Sequence, residues 1–267
     1  MKGYQFQVIK RWLPYPLTKG LDLDDPRLTE LRTRVIREKV FLNRIYREWY
    51  HLISKNLPPV PGPILELGSG AGFLGEYIPG VITSEVFHCS SVRMVMDGRY
   101  LPFEQKSLRA IVMTDVFHHI PEARSFFTEA ERCLQTGGAV IMIEPWATTW
   151  SRMIYNNIHH EPFITSATQW EFPSAGPLSS ANGALPWIVF HRDRAQFEKE
   201  FPGFSIEIVR PFMPIRYLVS GGFAWRSFTP GWSFPFWTMI EKVLQPLMRH
   251  LAMFALIKVV RNHLVRS

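Results

Sequence analysis

Ile64-Leu65-Glu66-Leu67-Gly68-Ser69-Gly70-Ala71-Gly72-Phe73 is the stretch that decides the fold. Three apolar residues around one glutamate read as a short buried strand, and the strand runs without a break into a loop with glycine at alternate positions. Glycine has no Cβ, so such a loop can turn sharply and bring backbone close to a ligand. A helix is expected to start at Phe73 and offer its free first-turn N–H groups. In a dinucleotide site of the G-x-G-x-x-G kind the third glycine would stand where Phe73 is, which argues against NAD.

Downstream, strand and helix signals alternate. Residues 80–84, 93–96, 110–114 and 139–143 read as further strands, and residues 122–134 as a helix ended by Thr136-Gly137-Gly138, with glycine as a left-handed cap. This order predicts a Rossmann-like α/β fold, a mostly parallel sheet flanked by helices, with ligands at the C-terminal strand ends. Acidic residues fall where such a ligand would meet them. Glu85 ends the second strand, 17 positions after Gly68, where a carboxylate can accept both hydroxyls of a ribose. Asp97 follows the third strand and suits an adenine amino group, with Met96 against the ring; Glu66 suits a cationic amino or sulfonium group.

Upstream, the four prolines and one glycine of Leu57-Pro58-Pro59-Val60-Pro61-Gly62-Pro63 separate this core from a helical segment. Asp25-Pro26 offers a helix start, and Leu28, Leu31, Val35, Leu42, Ile45, Trp49 and Ile53 recur at helical spacing. One long amphipathic helix is expected, with Arg32, Arg34, Arg37, Lys39, Arg44 and Arg47 on a solvated face. From Trp146 onward lie seven of the nine tryptophans, in a specialised extension whose Trp146, Trp150, Trp170, Trp187 and Trp225 could line an apolar pocket. It is read as ending in a basic helix over residues 236–264, kinked at Pro246 and suited to packing on the domain or lying on an anionic membrane surface. The expected organisation is an N-terminal helical segment over residues 1–56, a core over 57–146 and an extension over 147–267 that completes the domain.

At 267 residues and 46% hydrophobic the chain can bury a substantial core. Cys89 and Cys133, the only two cysteines, are too few and too far apart for a disulfide framework or a four-ligand zinc site and fit a reducing cytoplasm. No signal peptide or membrane span is read from the apolar runs. The net charge of +7 suits nucleic acid, an anionic membrane or an acidic ligand without choosing among them.

Residues 64–146 resemble the class I S-adenosylmethionine-dependent methyltransferases, in particular the methyltransferase type 11 branch. The resemblance is carried by Leu65-Glu66-Leu67-Gly68-Ser69-Gly70-Ala71-Gly72, by Met96-Asp97-Gly98 with Leu101-Pro102-Phe103, by Asp115-Val116-Phe117-His118-His119-Ile120 and by Leu134-Gln135-Thr136-Gly137-Gly138. It implies the fold, S-adenosyl-L-methionine as cofactor, methyl transfer, and a cofactor site at Glu66, Gly68, Ser69, Gly70, Gly72, Glu85, Met96, Asp97 and Asp115.

Methyl transfer from a sulfonium is an in-line displacement, so alignment and exclusion of water matter most, and a base only where the acceptor must lose a proton. His118 and His119 follow the fourth strand and His160 lies in His159-His160-Glu161; these three are the candidate catalytic residues. Glu144 also stands at the ligand edge. No metal site is expected, because adjacent histidines point apart and no third ligand is spaced for one. The expected acceptor is a small molecule, apolar or lipid-like, methylated at oxygen or carbon by a cytoplasmic enzyme with peripheral contact at the inner face of the membrane. The charge suggests an RNA methyltransferase as an alternative, but the fourth strand leads into Asp115-Val116-Phe117-His118 rather than an Asn/Asp-Pro-Pro-Tyr/Phe tetrapeptide, so a nucleic acid partner is not expected. A non-catalytic cofactor-binding module is the other alternative. The oligomeric state is left open.

Overall fold

A computed structural model describes residues 15–17, 26–70, 72–159, 161–173, 176 and 180–262. Within it the short apolar runs become β1 (Ile64–Leu67), β2 (Ile82–Glu85), β3 (Met94–Val95), β4 (Leu108–Thr114) and β5 (Leu134–Pro145), joined by β6 (Phe204–Phe212) and β7 (Phe254–Arg261). They form one sheet in the order β3-β2-β1-β4-β5-β7-β6. The first five strands are mutually parallel, with Leu65 of β1 opposite Ile82 on one side and Ile111 on the other. β1 and most of β4 and β5 are buried on both faces, which is why they read as near-continuous apolar runs rather than alternating ones. The chain leaves β1 toward β2 and β3, then returns to β4 on the other side. That reversal opens a crevice at the C-terminal ends of β1 and β4.

The expected single N-terminal helix is two, α1 (Pro26–Glu38) and α2 (Val40–Lys55). They break at Lys39, whose backbone is extended (φ −84°, ψ 91°). Its side chain turns inward rather than to solvent: Nζ donates to the carbonyls of Gly222 at 2.5 Å and Trp225 at 2.7 Å. Arg34, Arg37, Arg44 and Arg47 are exposed as expected. Asp25 lies outside the described residues. α2 buries Phe41, Leu42, Ile45, Trp49 and Ile53 against the sheet side of the core.

After the glycine loop only one 3-10 turn forms, Leu74–Glu76, where a helix was expected. Pro79-Gly80 stops it and returns the chain to β2. α3 (Ala123–Cys133) passes directly into β5 at Leu134, so Gly137 is no helix cap. Its positive φ of 79° serves a bulge in β5, where the pairing with β4 jumps from Leu108–Leu134 to Ala110–Ala139.

The extension contributes α4 (Thr149–Ile158), α5 (Arg194–Glu200), α6 (Arg216–Ser220) and α7 (Phe234–Val243). The basic helix expected over residues 236–264 is instead α7, two short turns around Pro246, and β7, which lies antiparallel between β5 and β6. A short apolar run rich in β-branched residues, such as Phe254-Ala255-Leu256-Ile257-Lys258-Val259-Val260, has the same pattern whether it is a buried strand or a buried helix. Lys258 fits because its ammonium reaches Glu207 at 2.9 Å. Among the described residues no helix is long and apolar enough to cross a membrane.

Candidate active site

The crevice at the switch point is a cavity of about 590 Å³, roofed by α1 and by the segment from Tyr217 to Trp225. Glu66, Gly68, Gly72, Glu85, Met96, Asp97, Asp115 and His119, all singled out in the sequence, line it together. Ser69 and Gly70 sit just behind the wall. The Ser69 hydroxyl accepts from the Ser84 amide at 3.1 Å, and the Gly70 amide donates to Glu85 Oε2 at 3.2 Å, locking the loop to the end of β2. His118 is buried beneath the cavity, and His160 lies outside the described residues.

Gly68 has φ of +67°, the left-handed region in which a side chain would be strained. The close approach that the loop's glycines permit is to the protein itself. Side-chain space at Gly70 is taken by Thr29 of α1 and by Glu85, and at Gly72 by the Tyr50 hydroxyl. Thr33, one turn after Thr29, donates to the Gly70 carbonyl at 3.2 Å. The first helix is thereby seated on the loop, and its Leu28, Thr29 and Arg32 form part of the cavity wall.

The wall is acidic. Burial, with the neighbouring Glu85 charge, pushes the Glu66 carboxyl up to about 7, against a hydrogen bond from Ser69. Burial likewise raises Glu85, which accepts from the Val86 and Gly70 amides, and takes Asp115 up to about 7. Asp115 itself is held at φ +62°, a strained conformation for a non-glycine residue right at the end of β4. Asp97 differs: against the cost of burial, the Arg99 guanidinium forks over its carboxylate at 2.6–3.0 Å and holds it below the usual range. The Thr114 hydroxyl, on the same wall, is buried and has no hydrogen-bond partner among the described residues. Desolvated carboxylates and an unpaired hydroxyl fit a ligand that brings a cation and hydroxyl donors.

Tyr46 from α2, and Tyr155, Tyr217, Phe223 and Trp225 from the extension, supply aromatic surface to the same cavity. Of the tryptophans expected to line a pocket only Trp225 does. Trp146 and Trp170 are core residues, and the Trp150 indole is tied to the Pro214 carbonyl. Glu144 is fully buried behind the histidines, where its carboxylate accepts the Val116 and Phe117 amides and lies 2.7 Å from His118 Nδ1. Burial opposes a charge on His118, but Glu144 and Glu161 outweigh it and hold the imidazole well above its ordinary range. His119 goes the other way: burial, with His118 beside it, pushes it down to about 3.

Arg32, Glu161 and Tyr217 are among the wall residues that escape the sequence reading. Arg32 was placed on the solvated face, although Thr29 and Thr33, four apart beside it, already marked a face of small hydroxyls that could seat on another backbone. Glu161, read only as the neighbour of His160, lies on the cavity wall next to both His118 and His119. Tyr217 carried no local signal, because the topology alone brings α6 over the crevice.

Residues 65–142 match the family model described as a methyltransferase domain. A search of curated proteins gives no match. Among solved structures the chain is similar to an S-adenosylmethionine-dependent methyltransferase from Thermotoga maritima, at 14% identity and TM-score 0.52, over 81% of this chain and 89% of that one. It is also similar to geranyl diphosphate C-methyltransferase from Streptomyces coelicolor, at 14% identity and TM-score 0.47, over 94% and 91%. Residues 65–142, which run from β1 into β5 at the centre of this sheet, are thus a methyltransferase domain.

Proposed function

We propose that this enzyme methylates a small, apolar or lipid-like acceptor at oxygen or carbon, with cofactor and acceptor sharing the one cavity. The observation that carries the reading is the division of the wall, acidic around the glycine loop and aromatic along the extension. S-adenosyl-L-methionine supplies an electrophilic methyl group when bound. On the acidic side Glu66 faces the cofactor's cationic end, Glu85 and Asp97 accept from its ribose and adenine, and Met96 packs against the base. Gly68, Ser69, Gly70 and Gly72 shape that wall, and Asp115 closes it at the end of β4. Arg32 on the roof offers a guanidinium to a carboxylate. The aromatic side excludes water and holds an acceptor by shape.

Of the three histidines, His119 is the one described on the wall, so it is the one assigned to touch the acceptor. With its Nδ1–H on the Ser180 carbonyl at 3.2 Å, the lone pair of His119 lies on Nε2. His118, clamped by Glu144, positions it. Within residues 1–56 the first helix α1 serves as roof, residues 57–146 hold the cofactor core, and the extension over 147–267 supplies the acceptor side.

The protein is assigned to the cytoplasm, with the exposed face of α7 in peripheral contact with the inner membrane surface. Phe236, Met239 and Val243 are exposed on that face beside Lys242, with Trp232 exposed just before the helix and Leu247 and Arg249 just after it. The test is to incubate purified protein and cofactor with lipid, aqueous and RNA fractions of a cell extract and to search by mass spectrometry for a compound gaining one methyl group. A methylated species in the lipid fraction supports the reading. Methylation confined to RNA overturns it.

A further inference from the structure

Two histidines and a glutamate beside the cavity are oriented as a ligand set. His118 Nδ1 is 2.7 Å from Glu144 Oε2, and His119 Nδ1 is 3.2 Å from the Ser180 carbonyl oxygen. An acceptor oxygen at each Nδ1 sets that nitrogen as an N–H, so Nε2 is the atom left to bind a metal, on His118 once its second proton is displaced. Both Nε2 atoms then face a single carboxylate, His118 Nε2 at 3.4 Å from Glu161 Oε2 and His119 Nε2 at 3.8 Å from Glu161 Oε1. A carboxylate set between two imidazole nitrogens calls for a cation there, either a proton on His118 or a metal ion shared by all three groups.

The separations say which cation fits. A hydrogen bond between nitrogen and oxygen ends at about 3.2 Å. Ligands bound at about 2.0–2.1 Å and at tetrahedral angles stand roughly 3.3 Å apart, close to the shorter distance here. A proton on His118 Nε2 pairs that histidine alone with Glu161, whereas one metal ion takes both imidazoles and the carboxylate together. The three ligand atoms all lie within 4.8 Å of one another, a span one ion can close with small side-chain shifts.

We propose that His118 Nε2, His119 Nε2 and the Glu161 carboxylate bind one divalent transition-metal ion of the zinc class, with Glu144 and the Ser180 carbonyl as the outer groups that orient the two imidazoles. Imidazole with carboxylate is the donor set such ions take, and outer acceptors on the second ring nitrogen are their regular accompaniment. Sequence spacing concealed the site because its carboxylate comes 42 positions after His119. Two of the ligands, His119 and Glu161, line the cavity. Three protein ligands leave a coordination position open, and on the methyl-transfer reading, on which this last clause alone rests, that position holds an oxygen or nitrogen of the acceptor.

The experiment uses tag-free full-length protein, stripped with a chelator and titrated with Co²⁺ in the absence of cofactor and acceptor. One Co²⁺ per chain is expected, with visible ligand-field bands of a low-coordinate site that Zn²⁺ abolishes. His119→Gln and Glu161→Gln are expected to weaken Co²⁺ binding by roughly tenfold or more, while His250→Gln on the exposed surface leaves it unchanged. Absence of the bands in the wild-type protein overturns the site, whether or not the variants fold. Equal binding in all three variants overturns it too. Because methyl transfer plays no part in the titration, its failure and the failure of the methyltransferase reading are separate results.

Discussion

Thr29 of the first helix fills the space that a side chain on Gly70 would need. The glycine loop therefore seats the roof of the cavity as well as facing its interior. Gly70→Ala places a methyl against both Thr29 and Glu85, so it is expected to shift α1 and to weaken cofactor binding by tenfold or more in calorimetry. Thr29→Ser removes the methyl that is in the way. The double variant should recover part of the loss, with a coupling of about 0.5–3 kcal/mol for residues in contact. Strict additivity of the two changes would mean that α1 does not rest on the loop.

Glu66 gives a pH signature. Its carboxyl is raised by burial from 4.5 to about 7, so the folded state holds its proton longer than the unfolded chain does. The stability this represents is full below about 4.5 and is lost as the pH rises through 7. The cost is roughly 3 kcal/mol at one pKa unit per 1.36 kcal/mol. Glu66→Gln should therefore gain stability relative to wild type between pH 5 and pH 8 in denaturant titrations. It should also lose cofactor affinity at pH 8, where the wild-type carboxylate is ionised. A variant whose stability difference from wild type is flat across that range would contradict the assignment.

Lys39 ties the break between α1 and α2 to the loop that forms the far wall. Lys39→Met keeps the stem's packing but leaves the buried carbonyls of Gly222 and Trp225 without their donor, at a cost of about 1–3 kcal/mol for each unsatisfied group. A lower melting temperature and faster proteolytic cleavage within residues 214–228 are the expected outcomes. An unchanged cleavage pattern would separate Lys39 from that loop.

The parts of the molecule legible in its sequence are those where local pattern and local role coincide. β1 with its glycines, Glu85 at the end of β2 and Asp97 after β3 could be placed because each sits at a strand end whose position the alternating pattern defines. Lys39 could not be read as a helix break, since an inward-turning lysine has the same helical spacing as a solvated one until its two carbonyl partners, more than 180 positions away, are known. β7 was hidden for another reason. A run buried on both faces has no alternation, and its place between β5 and β6 is a property of the whole sheet. Arg32 and Glu161 fell between these cases: their residue types were informative, but only the closing of α1 and of the segment after α4 turns them toward one cavity.

α7 tests how the enzyme meets its acceptor. Its inner side is anchored by Glu241, which bonds Arg216 Nε at 2.5 Å and accepts the Ile215 and Arg216 amides, so α7 is tied to α6 and through Tyr217 to the cavity wall. Its outer side carries Phe236, Met239 and Val243 at 55%, 63% and 75% exposure, spaced three and four apart on one face. Residues that exposed pack against little, and replacing them should alter stability by no more than about 0.5 kcal/mol. If α7 lies on a lipid surface, Phe236→Asp with Val243→Asp removes apolar contact and adds repulsion from anionic headgroups. Flotation with vesicles containing phosphatidylserine should then drop sharply for the double variant at unchanged melting temperature, and high salt should weaken wild-type binding by screening Lys242 and Arg249. Wild-type protein that fails to float with anionic vesicles would leave this face without a lipid role.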